Sequence, residues 1–406
     1  MAVGLKQPEQ LLPVAGVTLS AVATGMRYKN RDDLLLIHLD EGSVTAAVFT
    51  LNRYCAAPVT VAKQHLERHQ PRVLLINAGS ANAGTGKQGL ESARLTCQLV
   101  AEKAAIQEEQ VLPFSTGVIG MQLPMSEFTA GINAAMQGRG QADWYQAAKA
   151  IMTTDTQPKA FSEQVQLGDV LVTVTGIAKG SGMICPNMAT MLGYIVTDAA
   201  VSADVLKEML QTANGRTFNR ITVDSDTSTN DALTLTATGQ AGNQVVDDFN
   251  SSQAQALYQA IHSVARQLAH AIVRDGEGAT KFIEIEVNGG STEQDCSAVA
   301  YTVAHSPLVK TALFASDPNW GRILAAVGRA PVSQLDIEAV NITVNGVSII
   351  ANGEPAADYS EEKGQQAFTA EEIYMRIDLG HSRHQHIVWT CDLSHEYVTI
   401  NADYRS

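Results

Sequence analysis

The chain has 406 residues, of which 45% are hydrophobic and 17% are charged, and its formal net charge at pH 7 is -14. This composition is typical of a globular protein and excludes a disordered chain. The length predicts one large domain or two to three smaller ones. The negative charge argues against a nucleic-acid partner or an anionic membrane surface.

Three further features predict a cytoplasmic protein. The N-terminus lacks a charged leader followed by an apolar core, so we expect no secretory signal. No run of about 18 apolar residues is present, so we expect no membrane span. The five cysteines are widely separated, which is typical of reduced thiols.

Strands and helices are mixed along the first half of the chain. Apolar and β-branched runs predict strands at residues 17–28, 34–39, 43–50, 72–77, 111–120 and 170–175. Helix-forming runs predict helices at residues 59–69, 89–106, 126–136 and 143–152. The small, Gly-rich stretch 78–86 fits a strand-to-helix turn, which we favour, or a wall of a substrate pocket.

The second half continues the mixture. Strands are predicted at residues 192–197, 218–223, 281–287, 337–345, 347–351, 386–393 and 397–401. Helices are predicted at residues 202–213, 252–273, 298–314 with a break before Pro307, and within 319–327. Residues 252–273 give the clearest helix, because their apolar residues recur every three or four positions. The whole pattern predicts an α/β fold.

Two polar clusters invite a metal-binding interpretation that we do not favour. Residues 224–231 (DSDTSTND) carry three carboxylates, but their spacing differs from an EF-hand, so a polar loop is expected. His381, His384 and His386 lack a further ligand at a typical spacing, so a solvated face is expected. We therefore predict no metal site.

The central stretch, residues 179–193, lies between two predicted strands and contains Gly180, Gly182 and Pro186. It departs from the dinucleotide fingerprint, because Cys185 occupies the third glycine position. From the residues alone, a tight connection and a catalytic loop presenting Ser181 or Thr190 both stay open. Ser181 lacks the Gly-x-Ser-x-Gly pattern of a nucleophile elbow.

Residues 179–192 (KGSGMICPNMATML) resemble the signature of the ornithine acetyltransferase family, also called glutamate N-acetyltransferase. Further family-like segments follow the expected order over nearly the whole chain: 115–120 (STGVIG), 275–281 (DGEGATK), 317–322 (DPNWGR) and 401–406 (NADYRS). One departure is Ser406, where the family usually has threonine. The hydroxyl is kept and a methyl group is lost, so we expect the contact to survive with altered packing.

The resemblance implies a fold and a processing event. The fold would be stacked β-sheets flanked by helices, with an architecture like that of self-cleaving N-terminal-nucleophile proteins and a smaller C-terminal α/β part at about residues 285–406. The chain would cut itself between Ala189 and Thr190 into an α chain, residues 1–189, and a β chain, residues 190–406. Two α and two β chains would associate.

The resemblance also implies an acetyl transfer from N2-acetyl-L-ornithine to L-glutamate in arginine biosynthesis. Thr190 would be the nucleophile, and Thr116 and Gly117 would form the oxyanion hole. The positions that match family substrate-binding residues are Thr154, Lys179, Thr190, Glu277, Asn401 and Ser406. No cofactor is implied, and acetyl-CoA stays open as a second acetyl donor. Without the resemblance, the sequence favours a turn at Thr116 and Gly117 and a surface carboxylate at Glu277.

Cleavage before Thr190 would have a clear chemical use. It exposes an α-amino group on the nucleophile itself, with an ordinary pKa of about 7.7–8.0. Such an amine can act as the general base for its own hydroxyl. Two alternatives stay open: a related self-cleaving aminopeptidase or amidohydrolase, which passes the acyl group to water, and a binding protein that stays uncut.

Overall fold

The structure is a computed structural model that describes residues 2–185, 191–332 and 334–403. The chain forms two compact units. The larger unit comprises Lys6–Asn219 and Asp226–Ile272, and the smaller one comprises Met1–Leu5, Arg220–Ser225 and Val273–Ser406. None of the described helices is both long enough and apolar enough to cross a bilayer.

The larger unit contains two β-sheets and their covering helices. Its strands are β1 (Val17–Val22), β2 (Leu34–Leu39), β3 (Val44–Phe49), β4 (Val73–Ser80), β5 (Val111–Val118), β6 (Lys159–Leu167), β7 (Val170–Lys179), β8 (Leu192–Thr197) and β9 (Ala232–Ala237). Its helices are α1 (Ala57–Leu66), α2 (Gly86–Ala104), α3 (Met125–Gln137), α4 (Trp144–Ala150), α5 (Ala203–Arg216) and α6 (Ser252–Arg274), the last continuing two residues beyond the unit.

The strand orders are β1-β2-β4-β5 in one sheet and β3-β9-β8-β7-β6 in the other. β4 and β5 are parallel, as are β8 and β9, and the remaining neighbours in these sheets are antiparallel. The parallel pairs have α2 and α5 in their connections, because a parallel pair requires a crossover.

The two sheets of the larger unit pack face to face. Leu35 and Ile37 of β2 share an apolar cluster with residues of β8, while Leu34 and Leu36 join a second cluster with α2 and α3. A strand with both faces covered favours apolar residues at successive positions, which explains the apolar run at residues 34–37 of β2. The stacked α/β architecture expected from the resemblance is confirmed for this unit.

The smaller unit contains one β-sheet with helices packed against it. Its sheet has the order β13-β12-β11-β14-β10-β15. The strands are β10 (Phe282–Gly290), β11 (Asn341–Val344), β12 (Val347–Ala351), β13 (Glu354–Pro355), β14 (Glu372–Asp378) and β15 (His384–Cys391). The helices are α7 (Glu293–Ala304), α8 (Pro307–Phe314), α9 (Trp320–Gly328), α10 (Glu361–Thr369) and α11 (His395–Ala402).

Several local predictions are confirmed in the smaller unit. The helix at 298–314 is broken before Pro307 into α7 and α8, and Ser306 caps α8 by accepting from Val309 N. Asn345 and Gly346 both have positive φ between β11 and β12, as a two-residue hairpin requires.

Two predictions of secondary structure were wrong, and strand β6 was missed. Residues 397–401 lie in helix α11 rather than in a strand. Residues 218–223 form a 3-10 turn, Phe218–Arg220, and a single bridge at Ile221. Strand β6 was not predicted, because its second half alternates polar residues that gave no apolar run.

A close backbone approach fixes Gly117 in β5. Gly117 pairs with Gly79 of β4 and has a φ of +131. A Cβ atom at Gly117 would lie 2.3 Å from the carbonyl carbon of Gly79 and 2.4 Å from its oxygen. Backbone atoms cannot rotate away, so only glycine fits this position.

We expect Gly117→Ala to lower the free energy of unfolding by more than about 2 kcal/mol, because it adds a clash to an unfavourable φ. Gly120→Ala is the matched control: φ is +83, and the described atoms leave its Cβ position open. The control should cost about 1–2 kcal/mol for φ alone. Urea unfolding measures both, and equal costs would contradict the close approach.

Candidate active site

Lys179 connects the two sheets of the larger unit at one edge. It is the last residue of β7 and is only 9% exposed. Its Nζ donates a hydrogen bond of 3.2 Å to Oγ1 of Thr116, near the end of β5. An ammonium has donors only, so the Thr116 hydroxyl hydrogen must point to another acceptor. Thr116 is therefore arranged to donate, as an oxyanion hole requires.

Thr154 lies beside the loop that follows β7. Its Oγ1 is 2.7 Å from Oγ of Ser181, and Ser181 is buried. Ser181 follows Lys179 by two residues, so the structure brings Thr154 and Lys179 to the same loop. Thr116, Gly117, Thr154 and Lys179 thus share one region of the larger unit.

Asp155 fixes the position of this loop. Its Oδ1 accepts hydrogen bonds from Lys159 Nζ at 2.6 Å and from Gly180 N at 2.7 Å, and its Oδ2 accepts from Thr153 N at 3.0 Å. Burial by itself would raise the pKa of Asp155. The charges of Lys159 and Lys179, with the hydrogen bonds from Lys159 and Thr153, outweigh burial and hold the pKa well below its usual range.

Asp231 and Asn230 lie at the start of β9, in the same region. Asn230 Nδ2 donates to the carbonyl oxygens of Ala81 at 2.6 Å and Ser115 at 2.9 Å, which links the two sheets again. Asp231 is 2% exposed and lines a small cavity together with Thr116 and Lys179.

Met191 lines the same cavity as Asp231, whose carboxyl group is buried. Burial raises the pKa of Asp231 well above its usual range, against the opposing effects of a Ser228 hydrogen bond and the Lys179 charge.

Glu277 and Asn401 lie in the smaller unit. Asn401 Nδ2 donates a hydrogen bond of 2.8 Å to Oε2 of Glu277 and one of 3.0 Å to the carbonyl oxygen of Tyr397. Glu277 is 8% exposed, so it is more enclosed than a surface carboxylate. The pair gives an amide and a carboxylate held in a fixed mutual orientation.

Three predicted site residues lie outside the described residues: Ala189, Thr190 and Ser406. Their assignments stay predictions. The nearest described neighbour of the expected scissile bond is Met191, whose carbonyl oxygen accepts a hydrogen bond from Ala232 N at 3.0 Å.

The ArgJ family model matches residues 18–406 of the chain. The chain belongs to the ArgJ family. It is 51% identical to the arginine biosynthesis bifunctional protein ArgJ of Pseudomonas fluorescens over 406 residues, which is 100% of both chains. It is also 51% identical to the protein of that name from Psychrobacter arcticus over 407 residues, again 100% of both.

Solved structures include further ArgJ relatives. The arginine biosynthesis bifunctional protein of Bacillus halodurans is 36% identical and matches 52% of this chain and 97% of that chain, with a TM-score of 0.49. The ornithine acetyltransferase of Mycobacterium tuberculosis, solved with ornithine, is 32% identical and matches 43% of this chain and 94% of that chain, with a TM-score of 0.37.

Sequence reasoning missed two residues of this candidate site, Asp155 and Asp231. Asp155 follows the predicted helix 143–152, and nothing in the sequence shows that it pairs with Lys159. Asp231 was placed in the polar loop 224–231. A usable signal was present, because Asp231 directly precedes the apolar strand β9, whereas the other two carboxylates of that loop do not.

We expect Asp155→Asn to cost about 3–5 kcal/mol at neutral pH, because it removes the carboxylate charge that lies 2.6 Å from the buried ammonium of Lys159. The pKa of Asp155 is depressed in the folded state, so its stabilisation is present above the ordinary carboxylate pKa near 3.8 and is lost as pH falls further. The wild type and the variant should therefore converge in acid. Urea unfolding between pH 7 and pH 2 measures this convergence.

The double variant Asp155→Asn with Lys159→Met is the control. It removes both charges and should recover part of the lost stability at neutral pH. A stability difference between wild type and Asp155→Asn that stays constant down to pH 2 would contradict the ion pair.

Proposed function

We propose that this chain transfers an acetyl group from N2-acetyl-L-ornithine to L-glutamate, giving L-ornithine and N-acetyl-L-glutamate. Membership of the ArgJ family gives the coarser statement: the protein is an acyltransferase enzyme of arginine biosynthesis. The observation that carries the finer proposal is the Lys179–Thr116 hydrogen bond beside Met191, the residue that follows the expected nucleophile.

The first step in the proposal is self-cleavage. The hydroxyl of Thr190 attacks the carbonyl carbon of Ala189, and the peptide C–N bond breaks as the acyl group moves to oxygen. Water then hydrolyses this ester. The products are a carboxylate at Ala189 and a free α-amino group at Thr190, giving chains of residues 1–189 and 190–406.

The acetyl group then moves in two steps. The Thr190 amine takes the hydroxyl proton while the oxygen attacks the acetyl carbonyl of N-acetylornithine. The C–N bond breaks, the proton passes to the leaving α-amine, and ornithine departs. The α-amine of glutamate next attacks the acetyl ester, and N-acetylglutamate leaves as the Thr190 hydroxyl is restored. This is a ping-pong sequence with an acetyl-enzyme between the two halves.

Both halves pass through an oxyanion. The Thr116 hydroxyl is suited to donate to it, because its oxygen already accepts from Lys179. The backbone N–H of Gly117 is the proposed second donor. A donor of this kind is typically worth about 3–4 kcal/mol of barrier.

Substrate recognition uses charge of the opposite sign. A cation such as Lys179 suits the α-carboxylate shared by the acetyl donor and acceptor, and Glu277 suits the ammonium of ornithine. By family resemblance, Thr154, Asn401 and Ser406 add polar contacts. We also propose a cytoplasmic enzyme of two α and two β chains, and a sedimentation mass matching one of each would contradict that assembly.

The central test is Thr190→Ala. Wild-type protein should run as two chains under denaturing conditions, and the second should begin with Thr190. Thr190→Ala should stay uncut and transfer no acetyl group, because the attacking oxygen is absent. Thr190→Ser keeps a hydroxyl and should retain some cleavage. Mass spectrometry of wild type mixed with N-acetylornithine alone should find one acetyl group on Thr190.

Ser181→Ala is the matched control for a nearby hydroxyl. It should still be cut and should still take up an acetyl group. An acetyl group found on Ser181, or an uncut wild-type chain with full activity, would refute the mechanism. Free acetate as the main product would indicate transfer to water instead.

We further expect acetyl-CoA to serve as a second acetyl donor, which the word bifunctional in the names of the relatives supports. Both donors would acetylate the same hydroxyl, so Thr190→Ala should lose both reactions together. An assay with acetyl-CoA and glutamate, without N-acetylornithine, should release coenzyme A and N-acetylglutamate. A wild-type enzyme that uses N-acetylornithine but not acetyl-CoA would contradict this expectation.

A further inference from the structure

The carboxyl group of Asp231 is buried with one oxygen unpaired. The residue is 2% exposed, and Oδ2 has no hydrogen-bond partner among the described residues. A buried polar atom without a partner is costly and rarely kept without a reason. The carboxyl group lines a cavity that encloses about 30 Å³. That volume is about the share of one water molecule, so a small polar group fits beside the carboxyl group.

The strand register places Asp231 beside the residue that follows Thr190. β8 and β9 are parallel, and Leu192 pairs with Ala232. Ala232 N donates to the carbonyl oxygen of Met191. Asp231 and Met191 are therefore neighbours at the beginnings of adjacent strands, and both line the cavity.

The charged groups around this carboxyl come from two other segments. Lys179 faces it from the end of β7. Lys179 also acts on Asp155, whose own close partner is Lys159 at the start of β6. Two cations thus face two carboxyl groups. Lys179 is shared between Thr116 and both carboxyl groups, whereas Asp231 Oδ2 is directed at no described donor.

We propose that Asp231 binds the α-amino group that cleavage exposes at Thr190 and orients it toward the Thr190 hydroxyl. This inference rests on the proposed function. The uncut chain has no such amine, so the carboxyl group acquires its partner only after cleavage. Asp231 is a positioning residue, because it acts on substrate through the amine.

The proposed role affects the proton transfer directly. When the amine takes the hydroxyl proton, it becomes an ammonium. That charge favours the ionised form of Asp231 against the effect of burial on its pKa, and the carboxylate in turn stabilises the ammonium. The same carboxylate favours the charged form in the resting enzyme and so raises the pKa of the amine. Removing it should lower the amine pKa and move the acid limb of the pH-rate profile to lower pH, while slowing the reaction at its plateau.

The experiment compares wild type, Asp231→Asn and Asp198→Asn in the full chain. Asp198 is a matched control, because it is a buried carboxylate that follows the other end of β8, where its Oδ1 accepts from Thr173 N at 2.8 Å. We expect Asp231→Asn to cleave normally and to lose about tenfold or more in plateau kcat. The acid limb of its kcat/KM profile should move down by about one pH unit. Asp198→Asn should keep the wild-type profile.

A merely structural role would lower activity without moving the acid limb, and that result overturns the proposal. Failure of a folded Asp231→Asn variant to cleave also overturns it, because the carboxyl group would then act before the amine exists. If this variant does not fold, a measurement on the wild type tests the proposal instead. The rate of reductive methylation at Thr190, followed against pH, should give an amine pKa above about 7.7–8.0. A value at or below that range overturns the proposal.

Failure of the proposed function is distinguishable from these outcomes. It would appear in the wild type, as a chain that is not cut before Thr190 or that carries no acetyl group there. A wild type that behaves as proposed, with an Asp231→Asn profile that does not shift, refutes the positioning role alone.

Discussion

The arrangement of the candidate active site depends on one buried carboxylate, that of Asp155. It joins the segment after α4, the start of β6 through Lys159, and the loop after β7 through Gly180 N. Removing two charges from water is expensive, and the attraction in the interior repays this cost only when the hydrogen bonds are complete. Here both carboxylate oxygens are bonded, so the loop carrying Ser181 has one preferred position.

The apolar interior sets the spacing that these polar contacts need. Phe114 of β5 and Tyr194 of β8 meet edge to face, with ring centroids 5.3 Å apart, between the facing sheets. Because the sheets are held at a fixed separation, side chains near the ends of β5 and β7 can form hydrogen bonds between the two sheets. The Lys179–Thr116 and Asn230–Ser115 bonds are of this kind. Each of these two bonds satisfies the buried groups that form it, and the separation of the sheets sets where they meet.

Patterns in the sequence predicted much of the fold, because they are local. Strand β2 and helix α6 follow from apolar runs and helical spacing, and the break before Pro307 follows from the missing N–H of proline. Residues 397–401 failed the same reasoning. Their β-branched side chains favour a strand, yet Val398 is 64% exposed, and Asn401 bonds to Glu277 from within a helix. Tertiary contacts overrode propensity there.

The candidate site, like the fold, could be predicted only in part. Thr116, Lys179 and Glu277 were reached through family resemblance, whereas their contacts depend on strand pairing that no local pattern encodes. The Lys179–Thr116 bond joins residues 63 positions apart. Asp231 was missed for a different reason. In the sequence it is one of three similar carboxylates in a polar loop, and only the structure shows that it is buried.

The proposed cut lies close to backbone that is held by hydrogen bonds on the other side. From Leu192 onward β8 is bonded on both sides, to β7 and to β9, and Met191 is already held by Ala232. A break between Ala189 and Thr190 would therefore leave the new terminus one residue before Met191, whose carbonyl oxygen is already bonded to Ala232 N. An amine tethered this closely has little freedom to lose before it acts, which is how preorganisation lowers a barrier. A cut in a long surface loop would release an equally basic amine without fixing where it acts.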